Sequence, residues 1–246
     1  MASASASLSP SAADVRARLA DALAARNPQL VPRAEQVLVV HPALSGVMPQ
    51  GLVRGTSLVC VGPAAASLAA LVAAGPMGGG CWACAIGYPS LGVAAWLEAG
   101  VPLERLVVVR SPADGAEQPI DDPHGGRALA AAVDGFDVVV VGPQLAARLG
   151  QATARRVQAR VQSRGGILLM VGDPGAFTPD LRLHATARWH GLGSGHGHLR
   201  TREVRLALGG RRMPRGRRDT VWFPGPSGQI ERFGADPTVH ALRRTG

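Results

Sequence analysis

Ser57-Leu58-Val59-Cys60-Val61-Gly62-Pro63-Ala64-Ala65-Ala66-Ser67-Leu68-Ala69 reads as a short apolar strand, a Gly-Pro turn and the start of an alanine-rich helix running to Ala74. No charge interrupts Ser57 to Val61, which suits a strand buried on both faces of a parallel sheet. This order is the setting of a phosphate loop of the form Gly-x4-Gly-Lys-Ser/Thr. There the second glycine permits the tight turn, the lysine neutralises the β- and γ-phosphates, and the hydroxyl holds Mg²⁺. Counted from Gly62, those three positions are Ser67, Leu68 and Ala69. No other lysine can substitute, because all 26 basic residues of the chain are arginine. The corner is then either a purely structural strand–turn–helix or a weak anion site at the helix N-terminus, Ala65 to Ser67.

Downstream the alternation repeats. Cys81 to Ile86 is a second strand, Ser90 to Ala99 a helix closed by Gly100, and Leu106 to Arg110 a third strand. A polar loop from Ser111 to Gly125 leads into a helix through Val133. Phe136 to Val141 is a fourth strand, Leu145 to Arg164 a helix, and Ile167 to Val171 a fifth strand. Strands alternating with helices, joined by right-handed crossovers, predict a three-layer α/β/α domain with a mostly parallel central sheet. After Asp173 the pattern changes. Leu181 to Trp189, Arg202 to Leu208 and Asp219 to Phe223 alternate in polarity with no helix between them. They predict C-terminal antiparallel strands that extend the sheet or form a small subdomain. At the other end, Ser11 and Asp14 open a helix that puts Val15, Leu19, Ala22 and Leu23 on one face. This helix packs on its own domain or docks on a neighbouring subunit. The predicted organisation is a tail and helix over 1–40, a core over 41–180, and a β extension with a basic tail over 181–246.

The acids needed for phosphoryl transfer are displaced. The fourth strand should end in a metal-orienting Asp, the Walker B position, and Gly142 stands there. Asp137 lies at the opposite end of that strand, and Asp173, after the fifth, is the one acid near the expected face. The second strand leads to Gly87-Tyr88-Pro89-Ser90 where a water-activating Glu belongs. Loss of the cation, the metal hydroxyl, the metal carboxylate and the base removes every electrostatic component of the reaction. The sequence therefore predicts a pseudo-ATPase with no cofactor and no metal.

Composition narrows the remaining choices. With 46% hydrophobic residues and only 4% aromatics, the core is built from small aliphatic side chains. The net charge of +9 is concentrated from Arg188 to the end, where twelve arginines face four acids. Such a segment suits phosphate backbones or an acidic partner protein. Three cysteines do not make a secreted disulfide framework. Met1 to Ser11 lacks the basic and apolar segments of a signal peptide and reads as a tail. Gly and Pro break the long uncharged stretch Leu58 to Gly92, so no membrane span is expected and the predicted location is cytoplasmic.

Several side chains are candidates for surface work. Arg211, Arg212, Arg215, Arg217 and Arg218 surround Pro214 and Gly216, with Arg243 and Arg244 near the end. They form a solvated hairpin, or contact DNA or an acidic partner. Trp222 and Phe223 are strand core or, if exposed, interface anchors. His190, His196 and His198 lie among glycines and read first as a turn with solvent-facing imidazoles. Contact with nucleic acid or a partner, and zinc binding, are the alternatives. Cys81 and Cys84 have CxxC spacing, but within a strand that spacing sends the sulfurs to opposite faces, which marks them as structural.

The lead-in Leu44 to Gly55, the strand Ser57 to Val61 with Gly62-Pro63, the stretch Glu98 to Leu106, and Phe136 to Val141 follow the order found in RecA recombinases. The fold that this resemblance implies is RecA-like, a degenerate P-loop NTPase. Trp189-His190-Gly191-Leu192-Gly193, Gly195-His196-Gly197-His198-Leu199-Arg200 and the arginine-rich approach to Val221-Trp222-Phe223-Pro224-Gly225 resemble the ImuA-prime type of mutasome accessory protein of actinobacteria. That resemblance implies a role in DNA-damage-induced mutagenesis within the SOS response. It implies as partners an inactive Y-family DNA polymerase homologue and an error-prone replicative-type polymerase, with the C-terminal region contacting the homologue. Direct contact with DNA and self-association are further expectations. The alternatives are a DNA-binding recombination or repair mediator and an SOS cell-division inhibitor.

Overall fold

The computed structural model describes residues 37–109, 123–193 and 196–234. The predicted helix at Val15 to Leu23, most of the loop Ser111 to Gly125, and Arg243 and Arg244 lie outside the described residues. From Leu38 onward the chain is one compact unit.

Nine strands make one sheet. They are β1 (Ser57–Val61), β2 (Ala83–Ile86), β3 (Leu106–Val109), β4 (Val138–Val141), β5 (Ile167–Val171), β6 (Leu181–Gly193), β7 (His196–Gly210), β8 (Met213–Trp222) and β9 (Glu231–Arg232). Among the described residues five α-helices accompany them: α1 (Ala65–Gly78), α2 (Val93–Glu98), α3 (Pro123–Gly135), α4 (Pro143–Arg148) and α5 (Gln151–Arg164). Across the sheet the order is β9-β8-β7-β6-β1-β5-β4-β2-β3. The pairs from β3 through β1 are parallel, and β6 pairs parallel with β1, Leu58 opposite Leu181 and Val61 opposite His184. From β6 outward the pairs are antiparallel.

The expected mostly parallel sheet with antiparallel C-terminal strands is present, and those strands extend the sheet. Leu181 to Trp189, in β6, pairs antiparallel with β7. On its other side it is parallel to β1, because residues 172–180, which hold a turn and no helix, carry the chain past β1. Phe177, in that crossover, is buried. Gln158 of α5 holds the crossover by donating to Thr178 O at 2.7 Å and accepting from Thr178 N at 3.2 Å.

Two expectations need correction. The single helix Leu145 to Arg164 is two helices, because Leu149 and Gly150 are extended and Leu149 turns into the core. The first helix does not stop at Ala74 but continues through Pro76 to Gly78. Gly75 is required there, since a Cβ would come within 2.5 Å of the Val40–His41 backbone crossing it.

The two sheet faces are covered differently. On one, α1 packs with β1 and with inward residues of β6, β7 and β8, among them Leu183, Ala185, Val204, Leu206, Leu208 and Val221. Leu68, Leu71 and Met77 of α1 are fully buried, and each contributes about 2–3 kcal/mol of apolar burial. On the other face, α3 to α5 pack with β1, β2, β4 and β5 through Val59, Cys84, Val139, Leu168, Val157 and their neighbours. No residue of β6 to β8 belongs to that second cluster. The antiparallel extension therefore has one covered face and, among the described residues, one bare face.

Candidate functional site

At the corner after β1 only Gly62, Pro63 and Ala64 separate strand from helix, and Ala65 N–H already closes the turn onto Gly62 O at 3.0 Å. Gly62 has φ +94, and a Cβ on it would lie 2.6 Å from Ala185 O. The turn is thus pressed against β6 where a phosphate loop would bow outward. Leu68 and Ala69, at the lysine and hydroxyl positions, are inside the helix and completely buried. Ser67 is half-buried, and its Oγ accepts from Arg202 Nη2 at 3.2 Å.

The Walker B position is closed by backbone. Gly142 N donates to Ile86 O at 3.0 Å, and a Cβ on Gly142 would overlap Gly87 O. A Cβ on Gly87 would in turn overlap Leu145, and one on Gly175 would overlap Ala146 O. Strand ends and following turns touch one another where a metal and its carboxylate would need room. The remaining acids have other work. Asp137 pairs with Arg54 at 3.2 Å and accepts from Trp82 N at 3.1 Å, while Asp173 accepts from Gly175 N at 2.9 Å within its own turn. Cys81 and Cys84 are both buried and belong to opposite face clusters, as the strand period requires. Burial pushes the Cys84 thiol up to about 11.

The arginine cluster does not act as one group. Arg211 and Arg212 turn inward to Asp180 Oδ1, at 3.1 and 3.6 Å, and Arg212 also donates to Thr56 Oγ1. Asp180 Oδ2 accepts from Ser57 N and Ser57 Oγ at 3.0 and 2.8 Å. These two arginines thus anchor the start of β8 to the foot of β1. Arg217 lies opposite Leu208 at the edge of the covered face and also lines the groove that adjoins it. Arg218 lies opposite Ala207, which lies opposite His184, and this row belongs to the bare face. Arg215 sits in the irregular stretch between Met213 and Arg217 and lines the adjoining groove.

His190, His196 and His198 stand on paired strands. β6 and β7 continue through this stretch as a hairpin, with Leu192 opposite Gly197 and Gly193 opposite His196. His190 Nε2 sits 3.3 Å from Glu203 Oε2, and its ring meets Trp222 edge-on at 5.5 Å. His198 is exposed on the facing strand. Trp222 is half-buried and stacks on Phe233 with centroids 5.0 Å apart. Phe223 is buried, as a core residue, and carries the Arg202 guanidinium over its ring at 4.9 Å. Trp189 lies on the cation's other flank at 5.3 Å.

The bare face carries residues not singled out from the sequence: Arg182, His184, Thr186 and Arg188 on β6, and Arg205 on β7. Their alternation with Leu183, Ala185, Ala187, Val204 and Leu206 was readable as a period of two. Two depressions of about 710 and 580 Å³ share His184, Ala207 and Arg218 and form a continuous groove across this face.

Comparison with known proteins agrees with this fold. The flagellar accessory protein FlaH from Methanocaldococcus jannaschii is 11% identical with a TM-score of 0.55, over 80% of this chain and 99% of that one. The RadB recombinase is 12% identical with a TM-score of 0.54, over 78% and 97%. At such identities the likeness shows the fold alone, which is RecA-like. No curated protein sequence matches the chain. No helix among the described residues is long and apolar enough to cross a membrane. The family model described as the MT3502 N-terminal domain matches residues 46–176, from the segment before β1 into the crossover after β5. That match spans more than half of the sequence, and the chain belongs to the MT3502 family.

Proposed function

We propose that this chain is a non-enzymatic RecA-like adaptor that works through its surfaces and neither binds nor hydrolyses ATP. The observation that carries the reading is the contact of Gly142 with Gly87 O, which leaves no volume for a metal-binding side chain at that strand end. Burial of Leu68 at the lysine position supports it. From the resemblance of 189–225 to ImuA-prime proteins, the assembly it serves is the DNA-damage-induced mutasome, in error-prone translesion synthesis. Its partners there are an inactive Y-family polymerase homologue and an error-prone replicative-type polymerase.

The test is reconstitution with the purified polymerase homologue. Co-elution of the full chain with it is expected, with loss of the complex when the chain is cut after Gly234 or when Arg217→Glu is introduced. Both changes leave the nine strands in place. Removal of 211–246 would instead strip β8 from the sheet and test folding, not docking. No complex at micromolar concentrations, or multiple turnovers of ATP by the pure chain, would sink the proposal. A DNA-binding repair mediator is the second reading, and the specific observation in its favour is the basic groove on the bare face.

A further inference from the structure

We infer that the bare face of β6, β7 and β8 is a binding site for single-stranded nucleic acid. The inference does not depend on the adaptor reading. It uses a surface distinct from the strand-end crevice and from the C-terminal residues after Gly234.

Three observations converge. The first is charge. Along the groove Arg182, Arg218 and Arg215 are exposed, and among the described residues no carboxylate pairs with them. Asp219, the next residue on β8, turns its carboxylate to the covered face beside Gly46. Two acids among the described residues share this face: Glu203 is engaged by Arg205 at 2.8 Å and by His190, and Glu231, opposite Trp222, accepts from Ser227 Oγ at 3.1 Å. An uncompensated arginine row fits phosphate, which accepts a guanidinium fork bidentately.

The second is shape. A continuous trough crosses three strands and stays open to solvent along its length, which suits an extended polymer more than a compact ligand. The third is an aromatic platform at the end of the trough. Phe233 is half exposed, lines the groove and stacks on Trp222, which His190 braces from beyond. Phe233 thus offers a face at the margin of the arginine row. A base can use that face only if it is unstacked from its own helix, so the arrangement selects single strands over duplex. An acidic protein would satisfy the arginines but makes no use of the platform.

The experiment is fluorescence anisotropy of a labelled oligothymidylate titrated with the full chain at several salt concentrations. Unlabelled duplex and polyglutamate serve as competitors. Salt-dependent binding is expected. The double variant Arg182→Glu/Arg218→Glu lowers affinity by about tenfold or more and reduces the log–log salt slope by about 1.4, at about 0.7 per lost phosphate contact. Phe233→Ala lowers affinity for the oligonucleotide by about tenfold with little change in slope. Arg155→Glu, on exposed α5 away from the groove, leaves binding as it was. Thermal midpoints of all variants confirm folding, and Arg182→Gln/Arg218→Gln repeats the test if charge reversal lowers the midpoint. The inference is overturned by no binding at low salt, or by binding indifferent to Arg182 and Arg218. Displacement by polyglutamate or duplex as effective as by oligothymidylate, with no effect of Phe233→Ala, overturns it as well.

Discussion

The guanidinium of Arg202 donates to the Ser67 hydroxyl at 3.2 Å, across 135 residues of sequence. Ser67 stands where a phosphate loop would carry its second glycine, and Arg202 belongs to β7. The antiparallel extension therefore reaches over the helix end where a nucleotide would sit. Arg202 is also tied to Phe223 O through Nε at 2.6 Å and lies between the Trp189 and Phe223 rings. Its burial lowers the guanidinium's pKa from the usual arginine value. Replacing Arg202 with Met removes two hydrogen bonds to a charged donor and both cation–ring contacts. A loss of about 2–3 kcal/mol is expected in urea unfolding. Ser67→Ala should cost under about 1 kcal/mol, because Arg202 keeps its other partners. A double-mutant cycle showing no coupling between the two would refute the contact.

Rebuilding the nucleotide site should break the protein instead of activating it. Gly142→Asp forces a Cβ into Gly87 O, and Leu68→Lys places an ammonium where a fully buried leucine packs. Each is expected to cost about 3 kcal/mol or more, through overpacking in one case and a buried unpaired charge in the other. Thermal midpoints and soluble yield should fall for both single variants. A folded, stable Gly142→Asp/Leu68→Lys protein that gains ATP turnover would show that the crevice is far more plastic than these contacts imply.

The sequence made the parallel core legible because its signals are local. Val138 to Val141 and Ile167 to Val171 are uninterrupted apolar runs, and a strand buried on both faces has no other pattern. The expectation of a corner without phosphate chemistry rests on equally local signals, Ser67, Leu68, Ala69 and Gly142. The extension was read less well. Gly191, Gly193 and Gly197 looked like turn residues, yet Gly191 and Gly197 have φ of +116 and +113 inside a paired hairpin, where a Cβ would strike the facing backbone. Glycine there marks a bulge and a close approach, which adjacent residues alone do not distinguish from a loop. The roles of the arginines were illegible for a related reason. Arg211 and Arg218 read alike as members of one basic stretch, and only the place of the turn and the register of β8 send one to Asp180 and the other to the bare face.

That division of labour predicts opposite consequences for neighbouring arginines. Asp180 is nearly buried and satisfies Ser57, Arg211 and Arg212 at once. Asp180→Ala should destabilise by about 3 kcal/mol, since the Ser57 donors lose their acceptor and two cations lose their partner. Arg212→Ala, which also releases Thr56, should cost about 1 kcal/mol. Arg215→Ala and Arg218→Ala should stay within about 0.5 kcal/mol of the parent, as exposed positions usually do. Chemical denaturation of the four variants separates anchoring arginines from binding ones. A large loss for Arg218→Ala would place it in the wrong class.

Glu203 supplies a pH-dependent term with a definite sign. The hydrogen bond from Arg205 is the main cause holding its carboxyl below the usual glutamate range, with the nearby His190 adding to it and burial opposing. A depressed folded pKa means that the ionised carboxylate stabilises the fold fully above the unfolded value of about 4.3. The contribution then fades as pH falls through the lower folded value. The difference in thermal midpoint between the parent and Glu203→Gln should therefore be constant from about pH 7 to about pH 5 and shrink below about pH 4. Arg205→Gln removes the principal cause, so the Glu203 carboxyl resonance should titrate closer to that of an ordinary glutamate. An unchanged titration midpoint in that variant would mean that Arg205 does not hold Glu203. This acid on the bare face would then be free to oppose the phosphates that Arg182 and Arg218 attract.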